Sequence, residues 1–349
     1  MKDPQESLTR SPQLFPYSMD LGGDSVSFVH LAKADYERAS FLDPRILTPQ
    51  TRACSLPWAE IARAIDSAQL KERLGFIFHI GHVGSTLLSR LIGAHPCAFS
   101  LREPMLLRGF AQLKSEPRHA PAAWGGDAFE ARLTRTLQLF SRTFEDRELS
   151  VVKATSFVSE LSTALLSRAS APKAIMMYVS PESYVATILG GANSRQEAKV
   201  LTPGRLQRLQ QRIGCEAWRG EHLSEGETLA LAWACEMSAL VQAARSSGAR
   251  LLPVDFDQFL INPSSLLEIL RHFDIDATAA EVQTILDGPD MRRYSKAPEF
   301  AYDTALRLDV LNEARALHGA EIRRGLNWLE RAAGRFEPVR AALALTASQ

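Results

Sequence analysis

The sequence predicts an α/β fold in which a mostly parallel sheet is covered by helices on both faces. Two observations carry this prediction. Short apolar runs alternate along the chain with segments of helical periodicity. One run also passes through a glycine-containing loop directly into a helix, between Leu74 and Leu91. Strands that alternate with helices are typical of parallel sheets, in which both faces are buried.

Five apolar runs are predicted to be the strands of this sheet. They are residues 74–79, 98–101, 149–153, 173–179 and 250–256. Pro253 lies in the last run and cannot donate a backbone hydrogen bond, which favours an edge strand or a bulge there. Helices are predicted over residues 57–65, 85–92, 157–167, 184–189, 229–245, 266–273 and 312–333.

The chain is expected to consist of a main domain with two flanking segments. We predict a lead-in over residues 1–70 that packs on the main domain and is irregular as far as about residue 25. The main domain is expected over residues 71–335, and a C-terminal tail over 336–349. Residues 192–226 are polar and basic, which is typical of a lid or a solvated helix face.

The composition is that of an ordinary globular protein. Of the 349 residues, 46% are hydrophobic and 23% are charged, so the chain can bury a large core. Forty basic and forty acidic residues give a formal net charge of zero. This balance argues against extended, non-specific binding to nucleic acid.

The cysteines and the apolar runs bear on the compartment. The four cysteines are far apart and form no CxxC pair, so we expect reduced thiols rather than disulfides or a zinc site. No run approaches about 18 apolar residues, and the first residues lack an apolar signal core. We therefore predict a cytoplasmic protein that does not associate with membranes. The oligomeric state is left open.

The segment from Leu74 to Leu91 has the features of a phosphate cradle. An apolar strand leads into Gly81 and Gly84, and Ser85 and Thr86 then begin a helix. Glycines let the backbone approach an anion closely, and the N–H groups of a first helical turn point towards it. The sequence therefore predicts that this loop binds a nucleotide bearing phosphate or sulfate.

The loop differs from the GxxxxGK[ST] loop of nucleoside triphosphatases at two positions. His79 stands at the first glycine, and Ser85 stands at the lysine. That lysine supplies the charge that faces the transferred phosphoryl group. Its replacement disfavours ATP or GTP hydrolysis.

Residues 82–87, with the sequence HVGSTL, resemble the phosphosulfate-binding loop of the sulfotransferase family. In that family a strand is followed by Lys or Arg, a small residue, Gly, two hydroxyl residues and Leu or Trp. The resemblance extends over residues 74–300. It includes the Arg102-Glu103-Pro104 turn, Lys153 at a strand end, the strand–turn–helix segment 175–187, and residues 257–263, which are similar to the family's EDLxxxP segment.

The resemblance implies a P-loop NTPase-like three-layer α/β/α sandwich with a mostly parallel sheet. It implies an enzyme that moves a sulfuryl group from 3′-phosphoadenosine 5′-phosphosulfate (PAPS) to a hydroxyl or amine of an acceptor. The acceptor, a small molecule or a peptide, is not identified by the sequence. No metal is expected, since no His, Cys and carboxylate cluster has metal-ligand spacing.

The resemblance also assigns roles to individual residues. Glu103 would be the general base, Lys153 would face the bridging oxygen, and His82 would be the basic residue of the loop. The residues implied to bind PAPS are Gly81, His82, Val83, Gly84, Ser85, Thr86, Leu87, Thr187 and Arg195.

Two positions differ from the family pattern. His82 replaces the basic loop residue, and Val179 stands where the family has the arginine that binds the 3′-phosphate. Thr187 keeps the hydroxyl partner of that arginine. The candidates to supply the missing charge are Arg195, or else Arg292, Arg293 and Lys296.

Two other functions remain open from the sequence. A Mg²⁺-dependent ATP or GTP phosphotransferase would use the same loop, with Asp255 as the carboxylate on the metal side. Alternatively, an inactive member would keep the fold as a nucleotide-binding or scaffold module, a reading that Val179 favours. For a sulfotransferase, residues 105–148 and 192–226 are predicted to line the acceptor pocket.

Overall fold

The computed structural model describes residues 8–116, 121, 124–293 and 304–347. Its strands are β1 (Leu14–Asp20), β2 (Ser25–His30), β3 (Ala53–Pro57), β4 (Leu74–His79), β5 (Ala98–Arg102), β6 (Leu149–Lys153), β7 (Ala174–Tyr178) and β8 (Leu251–Asp255).

The α-helices follow in chain order. They are α1 (Lys33–Arg38), α2 (Trp58–Ala68), α3 (Ser85–Gly93), α4 (Met105–Ser115), α5 (Asp127–Phe140), α6 (Ser162–Leu166), α7 (Pro181–Leu189), α8 (Ala192–Ile213), α9 (Glu225–Ser247), α10 (Phe256–Ile261), α11 (Leu266–His272), α12 (Ala279–Leu286), α13 (Thr304–Arg335) and α14 (Glu337–Ala347). Short 3-10 helices cover Pro44–Ile46, Ser156–Leu161, Gly220–His222, Gly248–Arg250, Pro263–Ser265 and Pro289–Arg292.

The core of the molecule is a five-stranded parallel sheet with the order β5-β6-β4-β7-β8. All five strands expected from the sequence lie in it. Every residue of β4, β5 and β7 is buried, which requires cover on both faces of the sheet. The predicted α/β sandwich with a mostly parallel sheet is therefore confirmed. β8 is an edge strand, as Pro253 indicated.

The sheet order brings three strand ends together. β4 lies between β6 and β7, and β5 pairs with the other side of β6. In the register of these pairs, Lys153 lies beside both Ile77 and Arg102. The carboxyl ends of β4, β5 and β6 consequently meet at one edge, where the loop after β4 begins.

The first strands form a separate antiparallel sheet in the order β1-β2-β3. The prediction of irregular structure up to about residue 25 is thus wrong for Leu14–Asp20. Pro16 is unfavourable in a strand and obscures the strand pattern in the sequence, and a bulge lies between Pro16 and Ser18. Arg142, just after α5, is 5% exposed and anchors the segment: its guanidinium donates to the carbonyls of Leu8, Ser11 and Leu14.

The basic segment 192–226 begins with the long helix α8. The prediction of a solvated face is wrong for Arg205 and Arg208, which are only 5% and 6% exposed. The C-terminal tail forms α14, in which Val339 and Ala342 are buried. In the described part of the chain, no helix has the length and apolar character that a membrane span needs.

Candidate functional site

The loop between β4 and α3 bends around residues with left-handed backbone conformations. Gly81, His82 and Gly84 have φ angles of 86°, 56° and 63°, a region that favours glycine. Gly84 is also the N-cap of α3. A Cβ atom on Gly84 would lie 2.0 Å from Cε2 of Phe256, so the space at this position suits glycine alone.

The hydroxyl residues of the loop open α3 in a buried setting. Ser85 and Thr86 are 5% and 2% exposed. Thr86 Oγ1 has no hydrogen-bond partner within the described residues, and the N–H groups of a first helical turn have no acceptor within their helix. A bound anion would satisfy both kinds of donor at once. The residues present therefore fit a phosphosulfate or phosphate group.

Glu103 and Lys153 meet beside this loop. Lys153, at the end of β6, is 1% exposed and forms an ion pair with the carboxylate of Glu103, which follows β5. The Glu103 N–H also donates to the Lys153 carbonyl at 2.7 Å. The structure thus brings together two of the three residues predicted to be catalytic, because their strands are neighbours in the sheet.

His79 joins this pair, and sequence reasoning did not include it among the site residues. Its Nδ1 accepts a hydrogen bond from the Gly81 N–H at 3.0 Å. The neutral imidazole must then carry its proton on Nε2, which lies 3.7 Å from Glu103 Oε1. One side chain therefore touches both the loop backbone and the candidate base. The signal in the sequence was a histidine that ends an apolar strand.

His82, the third residue predicted to be catalytic, lines the cavity in front of the loop but contacts a different carboxylate. Its Nε2 is 3.6 Å from a carboxylate oxygen of Glu197, whose side chain is 62% exposed. The contact becomes an ion pair only when His82 is protonated.

A cavity of about 750 Å³ opens in front of the loop. Residues from the sequence-predicted site that line it are Gly81, His82, Val83, Gly84, Ser85, Thr86, Leu87, Glu103, Lys153 and Thr187. The segments expected to form the acceptor pocket also contribute: Arg108 comes from residues 105–148, and several lining residues come from α8. Phe41 closes one side, with Lys153 Nζ 5.0 Å from its ring centroid.

Two arginines of α8 reach the cavity as part of a buried ionic network. We call this the arginine cluster; it consists of Arg205, Arg208, Arg212, Glu160 and Glu236. Glu236 Oε1 lies 3.2 Å from Arg205 Nε and 2.9 Å from a terminal nitrogen of Arg208. Glu160 bridges Arg208 at 3.0 Å and Arg212 at 2.6 Å.

The ion pairs of the cluster keep its groups charged. Burial would raise the pKa of the Glu236 carboxyl, but the charges of Arg208 and Arg205 outweigh it and lower that pKa. Burial would likewise lower the pKa of both arginines, yet both pKa values are raised, with Glu236 contributing in each case. The sequence offered no sign of this cluster beyond the basic character of α8.

Of the residues predicted to replace the missing arginine, those that the structure describes are not among the residues that line the cavity. Arg195 pairs with Glu225 through two hydrogen bonds of 2.8 and 2.7 Å and is not among the cavity residues. Arg292 and Arg293 are not among them either, and Lys296 lies outside the described residues. The structure thus places Arg195 against Glu225, and its assignment to the donor site stays a prediction.

Thr187 and Val179 have structural contacts of their own. Thr187 lines the cavity, but its hydroxyl donates to the Ser183 carbonyl at 2.6 Å, one turn earlier in α7. Val179 is fully buried, and its carbonyl accepts from the Trp233 indole at 3.1 Å. Arg307 supplies a different cation at the cavity; it pairs with Asp257 and lies over the ring of Phe256.

Asp255, the carboxylate considered for a metal-dependent reaction, caps a helix. It accepts from the N–H groups of Asp257 and Gln258 at 2.8 and 3.2 Å. Burial raises the pKa of its carboxyl. In the described ranges, no group of three His, Cys, Asp or Glu side chains could hold a metal ion.

Comparisons with known proteins give structural similarities only. Neither the search with protein-family models nor the search of curated proteins finds a match. A sulfotransferase domain from the curacin biosynthetic pathway is similar at 15% identity, over 74% of this chain and 99% of that chain, with a TM-score of 0.40. The sulfotransferase STF9 from Mycobacterium avium is similar at 13% identity, over 74% and 81% of the chains, with a TM-score of 0.38. Because the sequence identities and TM-scores are this low, the function has to be inferred from the residues of this chain.

Proposed function

We propose that the chain is a sulfotransferase that moves a sulfuryl group from PAPS to a hydroxyl or amine acceptor. One observation carries the proposal: the loop cradle, whose Thr86 hydroxyl has no partner among the described residues, opens onto the same cavity as the Glu103–Lys153 pair. An anion site and a candidate base at one cavity suit group transfer from a charged donor.

The loop residues would hold the donor at its 5′ end. The loop has no lysine. Its donors to a phosphosulfate group would be the N–H groups at the start of α3 and the hydroxyls of Ser85 and Thr86. Gly84 would allow the loop to turn around the group with its left-handed backbone, and any larger residue there would meet Phe256.

Glu103 and Lys153 would carry the transfer itself. A bond forms between the acceptor oxygen or nitrogen and sulfur, and the bond between sulfur and the phosphate oxygen breaks. The acceptor proton moves to the carboxylate of Glu103. Lys153 holds that carboxylate through their ion pair and places a buried positive charge beside the reacting groups. His79 positions Glu103 and the loop backbone relative to each other.

Calorimetric binding of 3′-phosphoadenosine 5′-phosphate (PAP), the desulfated donor, tests the proposal. We expect PAP to bind without Mg²⁺, and we expect Gly84→Asp to abolish binding. Gly214→Asp is the matched control, since Gly214 also has a positive φ but nothing within 4 Å of its Cβ position.

Other nucleotides separate the alternatives in the same experiment. Binding of ATP or GTP that requires Mg²⁺, with no binding of PAP, would instead indicate a phosphotransferase. Absence of thermal stabilisation by every adenine nucleotide would indicate a scaffold module and overturn the proposal.

A further inference from the structure

Arg205 presents unused hydrogen-bond donors to the cavity. Its Nε donates to Glu236, and neither terminal nitrogen has a hydrogen bond to the described part of the chain. The residue is 5% exposed and lines the cavity. The Nε of Arg208, 6% exposed in the same wall, is buried without a partner among the described residues. A buried donor such as Arg208 Nε normally has an acceptor, and the terminal nitrogens of Arg205 are open to a ligand in the cavity.

The arginine cluster also carries an excess of positive charge. Three guanidinium groups share two carboxylates, Glu160 and Glu236, so one positive charge is not balanced within the cluster. A buried charge without a counter-ion is unfavourable. An oxyanion in the cavity would balance the charge and accept from the terminal nitrogens of Arg205, in the bidentate geometry that guanidinium groups favour.

The cluster lies on the same side of the loop as the candidate base. Glu236 accepts a hydrogen bond from Ser159, and Ser159 and Glu160 belong to the 3-10 helix that follows β6, the strand that ends in Lys153. Arg307, a further buried cation at the cavity, pairs with Asp257 in α10, directly after β8. Because β6 and β8 lie on opposite sides of β4, the two cationic groups flank the loop.

We propose that Arg205, supported by Arg208, binds an oxyanion carried by the acceptor, so that the acceptor is an anionic hydroxyl or amine compound. Its carboxylate, sulfate or phosphate group would lie against Arg205, while its hydroxyl or amine faces Glu103. This inference rests on the proposed function, which identifies the cavity as the place where the acceptor meets Glu103. It adds a specificity-determining residue and a substrate class.

Matched phenols test this substrate class. The probes are 4-hydroxybenzoate and 4-hydroxybenzenesulfonate, which are anionic, and 4-hydroxybenzyl alcohol, which is neutral. Binding to the full chain is measured by calorimetry, with and without PAP. Hydrogen bonds to charged groups predict that the anionic probes bind at least about tenfold more tightly than the alcohol.

Variants of α8 show whether Arg205 is responsible. Arg205→Gln should remove the preference for the anionic probes. Lys199→Gln removes an exposed charge from the same helix outside the cavity and should leave the preference intact. Should Arg205→Gln fail to fold, Arg205→Lys retains the charge but loses the planar fork, and it should weaken the preference severalfold. Equal binding of neutral and anionic probes, absence of binding by all of them, or a preference that survives in both Arg205 variants would overturn the proposal.

The 3′-phosphate of the donor is the other source of such an oxyanion. PAP and adenosine 5′-phosphate differ only in this group, so both are titrated into the wild type and Arg205→Gln. We expect Arg205→Gln to bind both as the wild type does. If it weakens PAP but not adenosine 5′-phosphate, the cluster binds the donor and the acceptor assignment is wrong. Failure of the wild type to bind PAP, with the phenol preference intact, would refute the proposed function and not this site.

Discussion

Replacing Gly84 with alanine tests the close approach at the centre of the loop. The added Cβ would lie 2.0 Å from Cε2 and 2.1 Å from Cζ of Phe256, which is 3% exposed and has little room to move. A left-handed φ costs a non-glycine residue about 1–2 kcal/mol, and overpacking adds about 1–3 kcal/mol. Gly84→Ala should therefore lower the free energy of unfolding by about 2–5 kcal/mol.

Gly214→Ala separates the two contributions. Gly214 has a φ of 76° with nothing within 4 Å of its Cβ position, so it bears only the backbone cost of about 1–2 kcal/mol. Urea denaturation followed by circular dichroism measures both variants. In a double-mutant cycle, Phe256→Leu should cost less in the Gly84→Ala background than alone, since it relieves the clash. Equal destabilisation by the two alanine variants, with no coupling to Phe256, would refute the close approach.

Further predictions concern the site, the arginine cluster and the edge of the sheet. Lys153→Met should slow sulfuryl transfer by about 10²–10³-fold without changing the circular dichroism spectrum, and a rate near the wild type would exclude its role in charge stabilisation. Glu103→Gln should slow the same reaction by about 10²–10⁴-fold, because the amide cannot take the acceptor proton. Glu236→Gln should lower the free energy of unfolding by about 3–5 kcal/mol, since it leaves buried arginines without their carboxylate. Because the pKa of Glu236 is lowered in the folded state, its charge stabilises the protein above the unfolded-state pKa, and this contribution is lost as the pH falls through the folded-state pKa. Urea denaturation at a series of acidic pH values should thus show a smaller loss of stability for Glu236→Gln than for the wild type, and equal losses would contradict the lowered pKa. Pro253→Ala should cost at most about 1 kcal/mol in the same assay, as expected for an edge strand, and a larger loss would indicate an interior role.

Local patterns were sufficient for the main sheet and the loop. The five strands are short apolar runs between helical segments, and burial on both faces makes such runs visible without knowledge of their partners. The loop could also be predicted, because Gly81 and Gly84 have the left-handed backbone conformation that their own short segment needs to turn. β1 was missed since Pro16 and polar residues obscure its alternation, and its pairing with β2 supplies what the local pattern lacks.

The cations of the site depended on contacts between distant segments. Arg195 and Arg205 lie on the same polar helix, and they find their carboxylates 30 and 31 residues further along the chain. The sequence offered no means of ranking them, since both are basic residues of the same polar helix. The packing of α8 against α9 turns Arg205 towards buried Glu236 and the cavity, and it leaves Arg195 with Glu225 outside the cavity. The candidate anion-binding loop is formed by residues that are neighbours in the chain. The charges that face it depend instead on which helices pack together, because a side chain's electrostatic partners are set by distance in space.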